Sequence, residues 1–104
     1  MLTDPLSKII KTIVQVAEPE RIILFGSHAK GNNKAESDYD LLILKRDIKS
    51  ARALTQQIYL NMKNIGAPVD IIVIDAEKFE QLKTDPYLIY SEAAKNGMVV
   101  YEKQ

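Results

Sequence analysis

The sequence contains no cysteine, one histidine and no apolar run long enough to span a bilayer. Without cysteine, the chain has no disulfides, no thiolate metal site and no cysteine nucleophile. This absence is typical of the cytosol, where thiols stay reduced. The N-terminus also lacks the basic and then apolar pattern of a secretory signal. We therefore expect a cytoplasmic protein.

The chain also lacks an excess of either charge. Fourteen basic residues balance fourteen acidic ones. Proteins that bind long nucleic acids usually carry a basic excess, because phosphate contacts supply most of their affinity. The charge balance therefore disfavours nucleic acid as a main partner. With 104 residues, 46% of them hydrophobic and 27% charged, the chain is predicted to be a single globular domain, 1–104.

Apolar periodicity and turn residues predict helices that alternate with strands. Asp4 and Pro5 are typical of a helix start, and Pro19 ends that first helix. The predicted strands are 21–25, 38–45, 69–74 and a short edge strand 98–101, and the later helices are 50–64, 77–83 and 86–96, the last ending at Gly97. A polar turn or half-helix and loop occupy 27–36. The fold class is α/β (α+β), with a mixed β-sheet of three to four strands flanked by helices.

The connections between strands predict their directions. A helix of about fifteen residues links strands 38–45 and 69–74, so these two should be parallel. The connection between strands 21–25 and 38–45 is short, which allows an antiparallel pair. The start of the middle strand would then lie beside the end of the first strand and the start of the third.

Two carboxylates at the start of the second strand are the first candidates for chemistry. Asp38 and Asp40 are two residues apart, so their side chains point to the same face of a strand. Like charges this close raise each other's pKa unless a cation lies between them, and Mg²⁺ prefers carboxylate oxygens. The alternative is a turn cap at Asp38 and a solvated strand end at Asp40.

A glycine and a serine complete the candidate site. Gly26 and Ser27 directly follow a strand, where glycine allows close backbone approach to a ligand and the amide groups and hydroxyl can bind phosphate. Asp70 begins the third strand and becomes a third carboxylate if strands two and three are parallel. Asp75 lies at the other end of that strand, on the opposite face, and is interpreted as a helix cap.

The motifs GSHAKG at 26–31 and SDYDLL at 37–42, with ten residues between Ser27 and Asp38, resemble the signature of the DNA polymerase β nucleotidyltransferase superfamily. Within it, the chain is similar to the minimal nucleotidyltransferases of bacteria and archaea. These often pair with a helical HEPN protein as the antitoxin of a toxin–antitoxin module. The likeness covers nearly the whole chain, but Lys30 stands where the family often has arginine.

The resemblance implies the nucleotidyltransferase fold and transfer of a nucleoside monophosphate, with ATP favoured, to an acceptor hydroxyl. It implies that Gly26 and Ser27 hold the triphosphate and that Asp38, Asp40 and Asp70 ligate two Mg²⁺ ions. The expected acceptor is a hydroxyl on a HEPN protein encoded nearby. We expect the apolar side chains of helix 86–96 to form part of the docking face.

Three alternatives stay open at this point. The acceptor could be a small molecule such as an aminoglycoside, or the chain could inhibit its partner by binding alone. The oligomeric state is also undetermined, with a homo-oligomer among the options. His28 is interpreted as a partly exposed turn residue and Lys30 as an exposed lysine, and Tyr39 is expected to pack on the face opposite the aspartates.

Overall fold

The computed structural model describes residues 5–31 and 38–104. Its elements follow in the order α1 (Pro5–Ala17), β1 (Arg21–Phe25), α2 (Ser27–Lys30), β2 (Tyr39–Lys45), α3 (Ala51–Leu60), β3 (Val69–Asp75), α4 (Ala76–Leu82), α5 (Ile89–Asn96) and β4 (Met98–Glu102). The predicted cap Asp4, the loop residues Asn32 and Asn33 and the motif residue Ser37 lie outside the described residues. In the described ranges, each helix is too short or too polar to cross a membrane.

The four strands form one mixed sheet in the order β3-β2-β1-β4. β1 and β2 are antiparallel, with Phe25 opposite Asp40. β2 and β3 are parallel, as the intervening helix predicts, with Asp40 opposite Asp70. β4 is antiparallel to β1 and ends the sheet on that side. The predicted mixed sheet flanked by helices is confirmed.

Helices cover both faces of the sheet. Because strand side chains alternate, each strand supplies apolar residues to two separate cores. α1 and α3 pack on one face, where the buried cluster comprises Ile9, Ile13, Ala17, Ile22, Leu24, Leu41, Ile43, Ile58, Ile65 and Ile71. α4 and α5 pack on the other face, where the cluster comprises Ile23, Phe25, Leu42, Leu44, Ile74, Phe79 and Ala93.

Two helix boundaries differ from the sequence prediction by several residues, and the other differences are of one residue. α3 ends at Leu60 and not at Asn64, because the chain tightens there: the amides of Asn61 and Met62 donate to carbonyls three residues back. Asn64 then takes a positive φ of 67°, which no helix tolerates, and the chain places Ile65 in the core.

α5 begins at Ile89 and not at Pro86. A side-chain oxygen of Asp85 accepts from the Tyr87 amide, and the Asp85 carbonyl accepts from the Leu88 amide. Asp85 therefore organises a turn before the helix, in place of the helix start that was predicted. Gly97 follows α5, as predicted, but its φ of −79° is one that any residue can adopt. A Cβ at residue 97 would collide with the Ala93 carbonyl, so close packing, and not backbone conformation, requires glycine at this position.

Candidate active site

Strand register brings the predicted carboxylates to one edge of the sheet. Asp40 lies in β2, between β1 and β3, and is directly opposite Asp70 on β3. Asp38 immediately precedes β2 and is exposed, as is Asp70, whereas Asp40 is half-buried. Alternation along β2 places Asp40 on the face covered by α4 and α5, since Leu42 and Leu44 belong to that cluster.

The electrostatics of Asp40 reflect this crowding. Partial burial raises its pKa above the ordinary value, and the negative charges of Asp70 and Asp38 raise it further. His28 acts in the opposite direction and lowers the pKa. Burial and two neighbouring carboxylates thus act on Asp40 in the same direction, and a cation bound beside it would counteract both effects.

Gly26 lies directly against Asp40. Its backbone has φ 75° and ψ −155°, a combination that is almost restricted to glycine. A Cβ at this position would overlap a carboxylate oxygen of Asp40 and lie 3.1 Å from Cγ. The glycine is therefore needed both for its conformation and for the space that the carboxylate occupies.

Ser27 begins α2, a single helical turn that follows Gly26. The amide of Lys30 donates to the Gly26 carbonyl at 3.2 Å, and Gly31 closes the turn in the left-handed conformation. Ser27 is half-buried. Gly26 and Ser27, hereafter the 26–27 turn, thus lie at the end of β1 that adjoins the carboxylates.

Two side chains of α2 make contacts that the sequence did not indicate. The His28 ring stacks on the Tyr39 ring, with centroids 3.8 Å apart and an interplanar angle of 12°. The Lys30 ammonium pairs with Glu92 of α5 at 2.9 Å and lowers the pKa of that carboxylate through a hydrogen bond. Neither pair has a signal in the sequence, because the partners come from distant elements.

Asp75 has the structural role that its position predicted. It ends β3 at the edge opposite Asp70, and one side-chain oxygen accepts from the amides of Glu77 and Lys78 at 2.9 and 3.2 Å. It therefore caps α4.

The fit of a divalent cation at the carboxylate edge rests on donor chemistry. Asp40, Asp70 and Asp38 would offer hard oxygen ligands, and the missing side chain of Gly26 leaves the space that the Asp40 carboxylate occupies. Within residues 5–31 and 38–104, no three acidic, histidine or cysteine side chains are close enough together to form a finished metal centre.

A cleft of about 560 Å³ lies elsewhere, at the other end of the sheet. Charges of both signs line it, among them Glu20, Arg21, Arg46 and Glu102. Several of these charges are already engaged, since Glu20 accepts from the Arg46 amide and Arg21 pairs with Glu102. Cavity volume alone would favour this cleft, but the uncompensated carboxylates and the glycine contact favour the edge at Asp40.

Comparison with known proteins agrees with the architecture. The family model described as "Polymerase beta, Nucleotidyltransferase" matches residues 7–104. No curated protein matches the chain significantly.

Solved structures with a similar fold cover most of the chain. A candidate nucleotidyltransferase from Sulfolobus solfataricus superposes with a TM-score of 0.67 at 19% identity, over 95% of this chain and 78% of that one. A toxin–antitoxin solved with AMP-PNP gives a TM-score of 0.59 at 19% identity, over 93% and 73% of the two chains. A mutant of the toxin–antitoxin MntA-HpeT gives 0.62 at 19% identity, over 98% and 76%. At this identity the likeness establishes the fold alone.

Proposed function

Since the chain belongs to the polymerase β nucleotidyltransferase family, we propose that it transfers a nucleoside monophosphate from a triphosphate, preferably ATP, to an acceptor hydroxyl with the help of Mg²⁺. The observation that carries this proposal is the contact between Gly26 and the Asp40 carboxylate. It joins a turn suited to phosphate to Asp40, whose pKa is raised by burial and by neighbouring carboxylates, with Asp70 in register beside it.

The proposed roles follow from these positions. The 26–27 turn holds the triphosphate through its backbone amides and the Ser27 hydroxyl. Asp38, Asp40 and Asp70 would hold Mg²⁺, with Asp38 and Asp40 serving the leaving group and Asp70 serving the acceptor. Two Mg²⁺ ions, when bound, would stabilise both the attacking and the leaving oxygens.

The transfer is a substitution at the α-phosphorus. The acceptor oxygen forms a bond to that phosphorus, and the bond from the phosphorus to the bridging oxygen of the β-phosphate breaks. Pyrophosphate leaves with the electron pair, and the acceptor proton passes to the Asp70 carboxylate or to water. The protein contributes mainly by positioning and by electrostatics, as is usual for phosphoryl chemistry.

We infer that the acceptor is a hydroxyl, preferably a tyrosine, on a helical HEPN-type partner, and that the chain acts as its antitoxin. Two solved relatives of the same fold are toxin–antitoxin complexes, and one of them was solved with AMP-PNP. The segment leading into α5 offers an apolar surface, since Tyr87 is 94% exposed and Ile89 47%. The other side of α5 belongs to the core, where Ser91 and Ala93 are buried.

The test combines the purified chain with the helical protein encoded beside it, ATP and Mg²⁺, and follows the partner by intact mass spectrometry. We expect a mass increase of one nucleotide that disappears in the Asp38→Asn, Asp40→Asn double variant. Asp75→Asn is the matched control, because it removes one carboxylate from the same sheet at the opposite edge and should keep the activity.

The other outcomes separate the alternatives. A partner that stays unmodified but is bound and inhibited would identify an antitoxin that acts by contact. Transfer to an aminoglycoside in place of the partner would identify a small-molecule enzyme. No nucleotide binding and no transfer to any acceptor would refute the proposed activity.

A further inference from the structure

The stacked pair His28 and Tyr39 joins two elements that follow one another in the chain, α2 and β2. His28 lies in α2 and Tyr39 is the first residue of β2. Their rings are nearly parallel, at 12°, with centroids 3.8 Å apart, which is a tight stacking contact. Both side chains are half-buried, so the contact is partly shielded from water.

Each partner is adjacent to one half of the proposed site. His28 directly follows the 26–27 turn, and Tyr39 stands between Asp38 and Asp40. The Tyr39 amide also donates to the Pro68 carbonyl at 2.9 Å, which fixes the start of β2 beside the segment that leads to Asp70. The position of the Tyr39 ring is therefore tied to the carboxylates.

α2 needs such a contact, because a four-residue helix is not stable by itself in water. Among the residues that the structure describes, side chains of α2 make three contacts of this kind: Ala29 packs against the core under α1 and α3, Lys30 pairs with Glu92, and His28 stacks on Tyr39. The ion pair is partly solvated, with its side chains 48% and 39% exposed, so solvent weakens it. Of the three contacts, only the ring stack connects α2 directly to the segment that bears Asp38 and Asp40.

We propose that the His28–Tyr39 stack is a positioning clamp that sets the distance between the 26–27 turn and the carboxylates, so that triphosphate and metal are held in mutual register. The clamp rests on the proposed function of this site. His28 and Tyr39 act through their neighbours in this role, and neither needs to touch the reacting atoms. The influence of His28 on the pKa of Asp40 agrees with its closeness to the carboxylates.

Four single variants separate the effect of the ring contact from the effect of the polar groups on the two side chains. His28→Ala and Tyr39→Leu remove the stack, and we expect each to lower kcat/KM for ATP about threefold to tenfold, the scale of one aromatic pair. His28→Phe and Tyr39→Phe keep two stacked rings and should restore kcat/KM to within about twofold. The double variant His28→Ala, Tyr39→Leu should be no worse than the poorer single one, because both remove the same contact.

Tyr90→Leu is the control for general loss of an aromatic contact. Tyr90 meets Phe79 edge-on at 6.4 Å in the core under α4 and α5. We expect this variant to lower the melting temperature while it leaves kcat/KM unchanged. Hydrogen exchange of residues 27–31 gives a second readout, which should speed up in His28→Ala and stay slow in His28→Phe.

The outcomes distinguish the clamp from the proposed function. Unchanged kcat/KM and unchanged hydrogen exchange in His28→Ala would overturn the clamp while the transfer reaction stands. Failure of His28→Phe to rescue would show that the imidazole itself is required, which also overturns it. If the wild type transfers no nucleotide, the proposed function fails, and the hydrogen exchange of 27–31 still decides whether the stack holds α2.

Discussion

Replacing Gly26 by alanine should damage the candidate site and the fold together. A Cβ at residue 26 would overlap an Asp40 carboxylate oxygen and lie 3.4 Å from the Asp40 Cβ. The backbone of Gly26 has φ 75° and ψ −155°, a conformation that residues other than glycine rarely adopt. Alanine in this conformation would cost about 1–3 kcal/mol. Either the 26–27 turn or Asp40 must move.

The size of the effect can be estimated for each readout. A strain of about 1–3 kcal/mol corresponds to a fall in melting temperature of roughly 5–20 °C for a domain of this length. A displacement of Asp40 by about 1 Å would cost roughly a hundredfold in kcat/KM, because phosphoryl chemistry depends on position. Differential scanning fluorimetry and a transfer assay with labelled ATP measure the two effects.

Gly66→Ala is the matched control. Gly66 has a similar positive φ of 82°, and a Cβ there would meet no atom within 4 Å in the described part of the chain. We expect a loss of stability from backbone strain, with nucleotide transfer retained. If Gly26→Ala keeps both the wild-type melting temperature and the wild-type kcat/KM, Asp40 does not lie against Gly26 and the reasoning fails.

Steric overlap and backbone strain can also be separated. In an Asp40→Ala background the overlapping carboxylate is absent, so Gly26→Ala should cost only the strain. The difference between the two backgrounds, measured by urea unfolding, is the free energy of the overlap. Equal costs in both backgrounds would show that the carboxylate is elsewhere.

Three further predictions concern charge and packing. Because folding raises the pKa of Asp40, the folded protein binds more protons than the unfolded chain between the ordinary and the raised pKa, and stability falls as the pH rises through that window. Asp40→Asn should therefore be more stable than the wild type at neutral pH and equal to it in acid. Thermal melts of both proteins at several pH values test this, and equal stability of the two at every pH would contradict it. Asp75→Ala removes the cap of α4, so it should lose about 0.5–2 kcal/mol of unfolding free energy and keep nucleotide binding. Asp70→Ala should lose Mg²⁺-dependent nucleotide binding and keep its stability. Urea unfolding measures the stability of both variants and calorimetry their binding, and the opposite pattern would contradict the two roles. Gly97→Ala should destabilise the protein by about 1–3 kcal/mol although the φ of Gly97 is ordinary, because the new Cβ would lie 2.6 Å from Ile23 Cγ2. An unchanged midpoint of urea unfolding would refute this packing.

The sequence alone determined what depends on local periodicity and on short connections. The helix between β2 and β3 indicated that these strands are parallel, which places Asp70 beside Asp40. The common face of Asp38 and Asp40 stays a prediction, because Asp38 precedes β2. The cap at Asp75 followed in the same way from its position before a helix. The catalytic and metal-binding roles of the aspartates stay a prediction.

Tertiary structure decided what depends on residues that are distant in the chain. The early end of α3 and the turn at Asp85 override good local helix signals, because neighbouring backbone and side-chain groups offer other hydrogen bonds. The place of β4 beside β1 has no local signature either.

The contact of Gly26 with Asp40 and the stack of His28 on Tyr39 each bring together residues more than ten positions apart. The short connection predicted that the end of β1 lies beside the start of β2, but it did not predict these particular pairs of residues, which depend on the register of β1 against β2. Periodicity in the sequence therefore fixes which face a side chain takes, while packing between elements fixes which side chains meet.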